Sequence, residues 1–159
     1  MEVQVYADGS GIGGGVGAAA VLYMDGQERR VLRKYLGKDE HNTVFEAEEM
    51  GLTLAVELVR TEGYMESAEI GADSQAALCA IKNTKGASGQ HLLDKFQDQI
   101  AVAQRMHRAT TIKLQWTPGH NGIPGNERAD KEAKVAANGD SSLAASLPKS
   151  CRGPMCYVP

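Results

Sequence analysis

The chain has 159 residues, 42% hydrophobic and 23% charged, an ordinary balance for one soluble globular domain with a core of its own. Its apolar stretches are cut by Gly or by charge well before the ~18 residues of a membrane span, and Met1-Glu2-Val3-Gln4 lacks a basic-then-apolar signal pattern. An intracellular protein, cytoplasmic or nuclear and with no membrane partner, is therefore expected. The net charge of −3 taken alone argues against a dedicated nucleic-acid binder.

In chain order, Glu2 to Asp8 alternates with Val3, Val5 and Ala7 on one face and reads as a strand ending at Asp8. The glycine-rich run Gly9 to Gly17 contains a literal G-x-G-x-x-G, but a dinucleotide loop must open a helix, and Val16 to Met24 reads instead as a second strand. The run is expected to be a loop between antiparallel strands, with Gly9 and Ser10 bringing backbone groups near a substrate. After the turn Asp25-Gly26, Glu28 to Leu36 completes an antiparallel meander.

Thr43 to Gly63 has helical periodicity, Ala68 to Asp73 is a short strand, and Ser74 to Asn83 is a helix capped by Ser74. His91 to Arg108 forms a further amphipathic helix, Thr111 to Trp116 a strand, and Asn126 to Ala137 a helix capped by Asn126. This order predicts an α/β domain over residues 1–138. Its mixed five-stranded sheet has three antiparallel strands followed by two joined through helices, with helices on both faces. After Asn138 periodicity stops, and residues 139–159 are expected to be a flexible tail or linker remnant. The three cysteines Cys79, Cys151 and Cys156 cannot all pair, and Cys79 falls in an apolar helical segment, so a disulfide framework is not expected.

Four carboxylates stand out. Asp8 and Asp73 end apolar runs, and Glu48 and Asp130 lie on the packed sides of helical patterns, where an unpaired charge is costly. With no thiolate or imidazole cluster nearby, the compensating cation should be hard, Mg²⁺ or Mn²⁺, which points to metal-assisted phosphoryl chemistry. Two divalent ions would cancel the four negative charges and leave a surface able to accept a polyanion.

Within the first helix, Glu46, Glu49, Thr53, Glu57 and Arg60 step along one polar stripe, expected to be solvated. Glu48 shares its side with Val44, Leu52, Ala55 and Val59 and faces the sheet. Asp130 shares a side with Ala133 and Ala137, whereas the pairs Glu127/Lys131 and Arg128/Glu132 read as surface stabilisers. Asp73 sits where open α/β sheets form crevices, with helix capping as its competing role. His41, His91 and His107 read as surface or structural residues. His120 lies in the Gly/Pro-rich segment Trp116 to Asn126, just before the Asp130 helix, where an imidazole can move protons at a leaving oxygen.

The runs Tyr6-Ala7-Asp8-Gly9-Ser10, Thr43-Val44-Phe45-Glu46-Ala47-Glu48, Ala72-Asp73-Ser74-Gln75 and Gly119-His120 with Gly125-Asn126-Glu127-Arg128-Ala129-Asp130 resemble the type 1 ribonuclease H domain. More narrowly, they resemble the version attached to retroelement reverse transcriptases. The match covers about residues 2 to 138. It implies that Asp8, Glu48, Asp73 and Asp130 form the family's catalytic, metal-binding quartet, with His120 as the loop histidine and Asn126 supporting the site. It also implies two Mg²⁺ ions roughly 4 Å apart, replaceable by Mn²⁺, and hydrolysis of the RNA strand of an RNA/DNA hybrid. Gly9, Ser10 and Gln75 match positions that read the 2′-hydroxyls, and Thr43 is what remains of a backbone-contacting Thr-Asn-Asn run.

Only Thr84 to Gln90 separates two helices, so the basic extra helix of some cellular members is expected to be absent. Weak hybrid binding is then expected of an isolated, monomeric domain, compensated by a neighbouring reverse transcriptase domain in a retrotransposon polyprotein. Two other readings share the fold: a DNA-cutting nuclease of integrase or resolvase type, which the Gly-His to Asp130 spacing suits poorly, and a non-catalytic hybrid-binding domain, which an intact quartet disfavours.

Overall fold

The computed structural model describes residues 2–63, 65–83, 90–117 and 122–152, with only the backbone described at 80–83, 90–97 and 150. Its elements run β1 (Glu2–Ile12), β2 (Gly15–Met24), β3 (Gln27–Lys38), α1 (Val44–Thr61), β4 (Ser67–Ala72), α2 (Gln75–Asn83), α3 (Gln90–Met106), β5 (Thr111–Trp116) and α4 (Pro124–Ala137). Of the expected short loop Thr84 to Gln90, residues 84–89 lie outside the described residues, as does Cys156, and Gln90 instead opens α3. The sheet order is β3-β2-β1-β4-β5. β1 to β3 pair antiparallel, while β4 lies parallel to both β1 and β5. This is the expected mixed five-stranded sheet.

Alternation along β1 assigns the two faces. Val3, Val5, Ala7 and Gly9 point toward α1, where a Cβ on Gly9 would lie 2.5 Å from the Glu48 backbone nitrogen. Tyr6 and Asp8 point the other way, toward α4, where a Cβ on Gly125 would meet the Tyr6 ring at 2.2 Å. α4 also lies on β2, since a Cβ on Gly17 would fall 2.2 Å from the Ala137 backbone nitrogen. Small residues on the strands thus let both helices lie close.

That close approach corrects the sequence reading of the glycine run. Residues 9–12 and 15–17 are strand, paired Gly9↔Ala18 through Ile12↔Gly15, and the turn itself is only Gly13-Gly14, both at positive φ. Gly9, Gly15 and Gly17 thus serve helix contact rather than loop freedom. β1 therefore continues past Asp8, which lies within the strand and not at its end.

α1 also departs from expectation. Residues 47 and 49–59 are all buried, Glu49 at 0% exposure, together with Thr53 and Glu57, because the helix has the sheet on one side and α3 on the other. The stripe expected to face solvent is covered. Glu57 pairs with Arg60, and Glu46 closes a capping box with Thr43. Among the described residues, Glu49 has no hydrogen-bond partner on either carboxylate oxygen.

The segment after Asn138, expected to be a flexible tail, packs on the domain as far as Arg152. Ser141 Oγ accepts from the Tyr35 amide at 2.8 Å, Ser142 Oγ accepts from the Arg33 amide at 2.9 Å, and the Ser142 amide donates to the Arg33 carbonyl at 2.9 Å. These bonds cover the outer edge of β3, which would otherwise offer unpaired donors and acceptors. Beyond them Leu147 and Cys151 enter the core, with the Cys151 thiol 3.4 Å from the Met50 sulfur. An aperiodic strap carries little sequence signal, because its hydrogen bonds come from serine hydroxyls rather than from a repeating pattern.

Arg128 and Glu132 do pair, yet Glu132 is buried and also holds Arg33, while Arg128 reaches Glu28. The pair expected to be a surface stabiliser instead ties α4 to β3. No helix among the described residues is long and apolar enough to cross a membrane.

Candidate metal centre

Sheet register brings the first two acids together. Ala7 lies opposite Ala72 in the parallel β1/β4 pair, so the next step along each strand places Asp8 beside Asp73, at the carboxyl end of β4. Crevices in α/β sheets open at that end. α1 supplies Glu48 from the opposite face, at its first turns beside Gly9. Asp8, Glu48 and Asp73 each present a carboxylate oxygen within 4.8 Å of the others; Asp8 is buried, and Glu48 and Asp73 are half-buried.

The electrostatics record this crowding. Burial, then the charge of Asp73 and to a lesser degree that of Asp130, push Asp8 up to about 8, opposed by the Gly9 amide donating to its Oδ1 at 2.9 Å. Burial also raises Glu48; the Ser74 hydroxyl works against this rise and the Asp73 charge adds to it. Three oxygen ligands that repel one another in a partly dry pocket suit a hard divalent cation, which would relieve the repulsion.

Asp130 stands apart from this group. Its charge reaches Asp8, but its Oδ2 is 2.8 Å from Lys134 Nζ, one turn along α4. The hydrogen bond and charge of Asp130 hold the Lys134 ammonium above its ordinary range, with Asp8 adding to this. Asp130 is only half-buried, whereas Ala133 and Ala137 of the same helix are fully packed.

The remaining candidates take varied places. Gly9 and Ser10 are half-buried on β1, and Gln75 is exposed at the start of α2, whose first turn Ser74 caps by accepting from the Ala77 amide at 3.1 Å. Thr43 is the N-cap of α1, its hydroxyl accepting from the Glu46 amide at 3.1 Å. Asn126 does not cap α4: Ile123 is the N-cap and Pro124 follows it, while Asn126 is buried and its Oδ1 accepts from Thr117 Oγ1 at 2.9 Å. Asn126 sits inside the first turn because proline fills the first position better. His120 lies outside the described residues.

Sequence reasoning passed over Trp116, whose indole donates to the Asp73 carbonyl at 3.1 Å, and Lys134. Nothing local marks the tryptophan. The i, i+4 rule could have found Lys134 opposite Asp130.

The family model for RNase H matches residues 1–138. The chain is 29% identical over 133 residues to the Pol polyprotein of equine infectious anemia virus (strain Wyoming), a match covering 84% of this chain and 10% of that protein. It thus spans about a tenth of the length of such relatives. Among solved structures, RNase H1 from Halobacterium salinarum NRC-1 aligns at a TM-score of 0.62 with 21% identity, covering 88% of this chain and 100% of that one. The N-terminal RNase H domain of a Mycobacterium tuberculosis protein aligns at 0.66 with 21% identity, covering 86% and 99%. LC11-RNase H1, solved in complex with an RNA/DNA hybrid, aligns at 0.62 with 21% identity, covering 86% and 96%.

Proposed function

The chain belongs to the RNase H family, and we propose that it is an endonuclease hydrolysing the RNA strand of RNA/DNA hybrids with divalent cations. The observation that carries this reading is the three-carboxylate group of Asp8, Glu48 and Asp73, with Asp130 beside it. The donor set fits Mg²⁺, with Mn²⁺ able to substitute, and two ions match four carboxylates in charge. Held by these residues, the ions would supply an acidified water and neutralise charge building at the scissile phosphate.

The chain's own groups then have defined tasks. Asp8, fixed by the Gly9 amide, is the central acid, because it alone adjoins both Asp73 and Asp130. Glu48 closes the group from α1 and is steadied by Ser74. Gly9 and Ser10 present backbone, and Gln75 an exposed amide, at the rim where 2′-hydroxyls would distinguish RNA from DNA. Thr43 lies at the same end of α1 for the nucleic-acid backbone, and Asn126 supports the start of α4. We assign to His120 the transfer of a proton to the leaving 3′ oxygen.

Because Pol polyproteins are among the relatives it matches, we place it as the RNase H domain of a retrotransposon reverse transcriptase polyprotein, acting intracellularly beside a polymerase domain. Residues 1–138 form the catalytic unit in this reading, monomeric when isolated. The deciding experiment is cleavage of a labelled RNA/DNA hybrid in Mg²⁺ beside RNA, double-stranded RNA and double-stranded DNA, with Asp73→Asn as control. Hybrid-only cleavage that the substitution removes is the expected result. Cleavage of double-stranded DNA, or activity unchanged by Asp73→Asn, would overturn it.

A further inference from the structure

The acidic site contains a cation of its own. Lys134 Nζ lies 2.8 Å from Asp130 Oδ2, and among the described residues no other ion pair reaches Asp8, Glu48, Asp73 or Asp130. Arg128 of the same helix is engaged elsewhere, with Glu132 and Glu28. The charge compensation is therefore uneven. Three clustered carboxylates have no basic partner among the described residues, while the fourth has a lysine one helical turn away.

We propose that Lys134 is a resident counter-cation that a divalent ion must displace to bind at Asp130, so that this lysine sets the cation affinity of the Asp8–Asp130 half of the site while leaving the Asp8–Glu48–Asp73 half alone. The inference rests on the metal-dependent reading above and adds to it a residue that lies outside the quartet. Two observations support it. Lys134 and Asp130 keep 50% and 43% of their side-chain surface exposed, and an ion pair that open is worth little to the fold and is easily broken by a stronger cation. Asp130 also projects from α4 apart from the three-carboxylate group, so a charge exchanged at its carboxylate falls chiefly on the Asp8–Asp130 half. A divalent ion brings twice the charge of the ammonium to the same oxygens.

The placement on α4 favours a functional reading over a purely helical one. A lysine in the last turn complements the helix dipole wherever it points, and Lys131, three residues earlier, would serve the fold's solubility equally well. Among the basic residues described, it is Lys134, at i+4, that stands beside the Asp130 carboxylate.

The test is calorimetric titration of Mn²⁺, and separately Mg²⁺, into the full chain and four variants: Lys134→Gln, Lys134→Arg, Lys131→Gln and Asp130→Asn. Lys134→Gln should tighten the weaker binding step by about fivefold and leave the stronger step unchanged, which is the scale of one partly exposed charge contact. Lys134→Arg should restore the parent affinity, Lys131→Gln should shift it by less than about twofold, and Asp130→Asn should abolish the weaker step. Equal shifts in Lys134→Gln and Lys131→Gln, or none in Lys134→Gln while the parent binds two ions, would overturn the role of Lys134 alone. No binding of either ion by the parent chain would overturn the metal-dependent reading and this proposal with it.

Discussion

Two helices each carry a buried glutamate next to a site acid, and the two glutamates live in opposite circumstances. Glu49 of α1 follows Glu48, is fully enclosed, and has no hydrogen-bond partner on either oxygen among the described residues. Glu132 of α4 follows Asp130 by two residues, is 7% exposed, and is held by Arg33 and Arg128. Burial raises Glu49 to about 8, with the Glu46 and Glu48 charges adding to it, whereas the two arginines outweigh burial at Glu132 and leave it below the ordinary carboxylate range. Pairing, not depth, decides the sign. α1 tolerates a neutral acid in a helix packed on both sides, and α4 uses a charged one to bind itself to the meander.

The largest expected effect sharpens this contrast at the site itself. Glu48→Gln, in the tight three-carboxylate group, should lower hybrid cleavage by roughly a thousandfold, and Asp130→Asn, already shared with Lys134, by roughly tenfold to a hundredfold. Single-turnover rates on a labelled hybrid would measure both, and equal losses would erase the distinction between the two helices. Next in size is the strap, which brings the Cys151 thiol against Met50 of α1. Ending the chain at Asn138 should cost at least about 3 kcal/mol in urea unfolding, through lost burial of Leu147 and Cys151 and an uncovered β3 edge.

Smaller still, Glu132→Met should destabilise by about 2 kcal/mol, because Arg33 and Arg128 would lose their shared partner, though both keep some contact with water. Glu49→Met should stabilise by about 1 kcal/mol at pH 8 without divalent ions, since it removes an acid that must ionise unpaired. The smallest effect is in the pH curves. A raised folded-state value at Glu49 means stability fully present below the ordinary carboxylate range and lost as pH climbs from there toward about 8. The depressed value at Glu132 means stability present above that range and lost as pH falls through it. Thermal midpoints from about pH 3 to 9 should therefore flatten on the alkaline side in Glu49→Met and on the acid side in Glu132→Met. A swap of those sides would show the pairing to be misread.

The sequence by itself determined the element order and the sheet class and marked four acids, three of which the structure gathers, because strand alternation, helical spacing and short motifs are local signals that survive any packing. Register then did what no motif can: Ala7 opposite Ala72 sets Asp8 beside Asp73. Tertiary packing alone decided the rest. The Glu49 and Glu57 stripe looked solvated because amphipathicity assumes one buried side, and α1 has two. The glycine run looked like a loop because backbone freedom and helix contact favour the same residue. The strap, the Asn126 contact with Thr117 and the Lys134 contact with Asp130 depend on which surfaces meet in space, and side-chain identity along the chain does not encode that meeting.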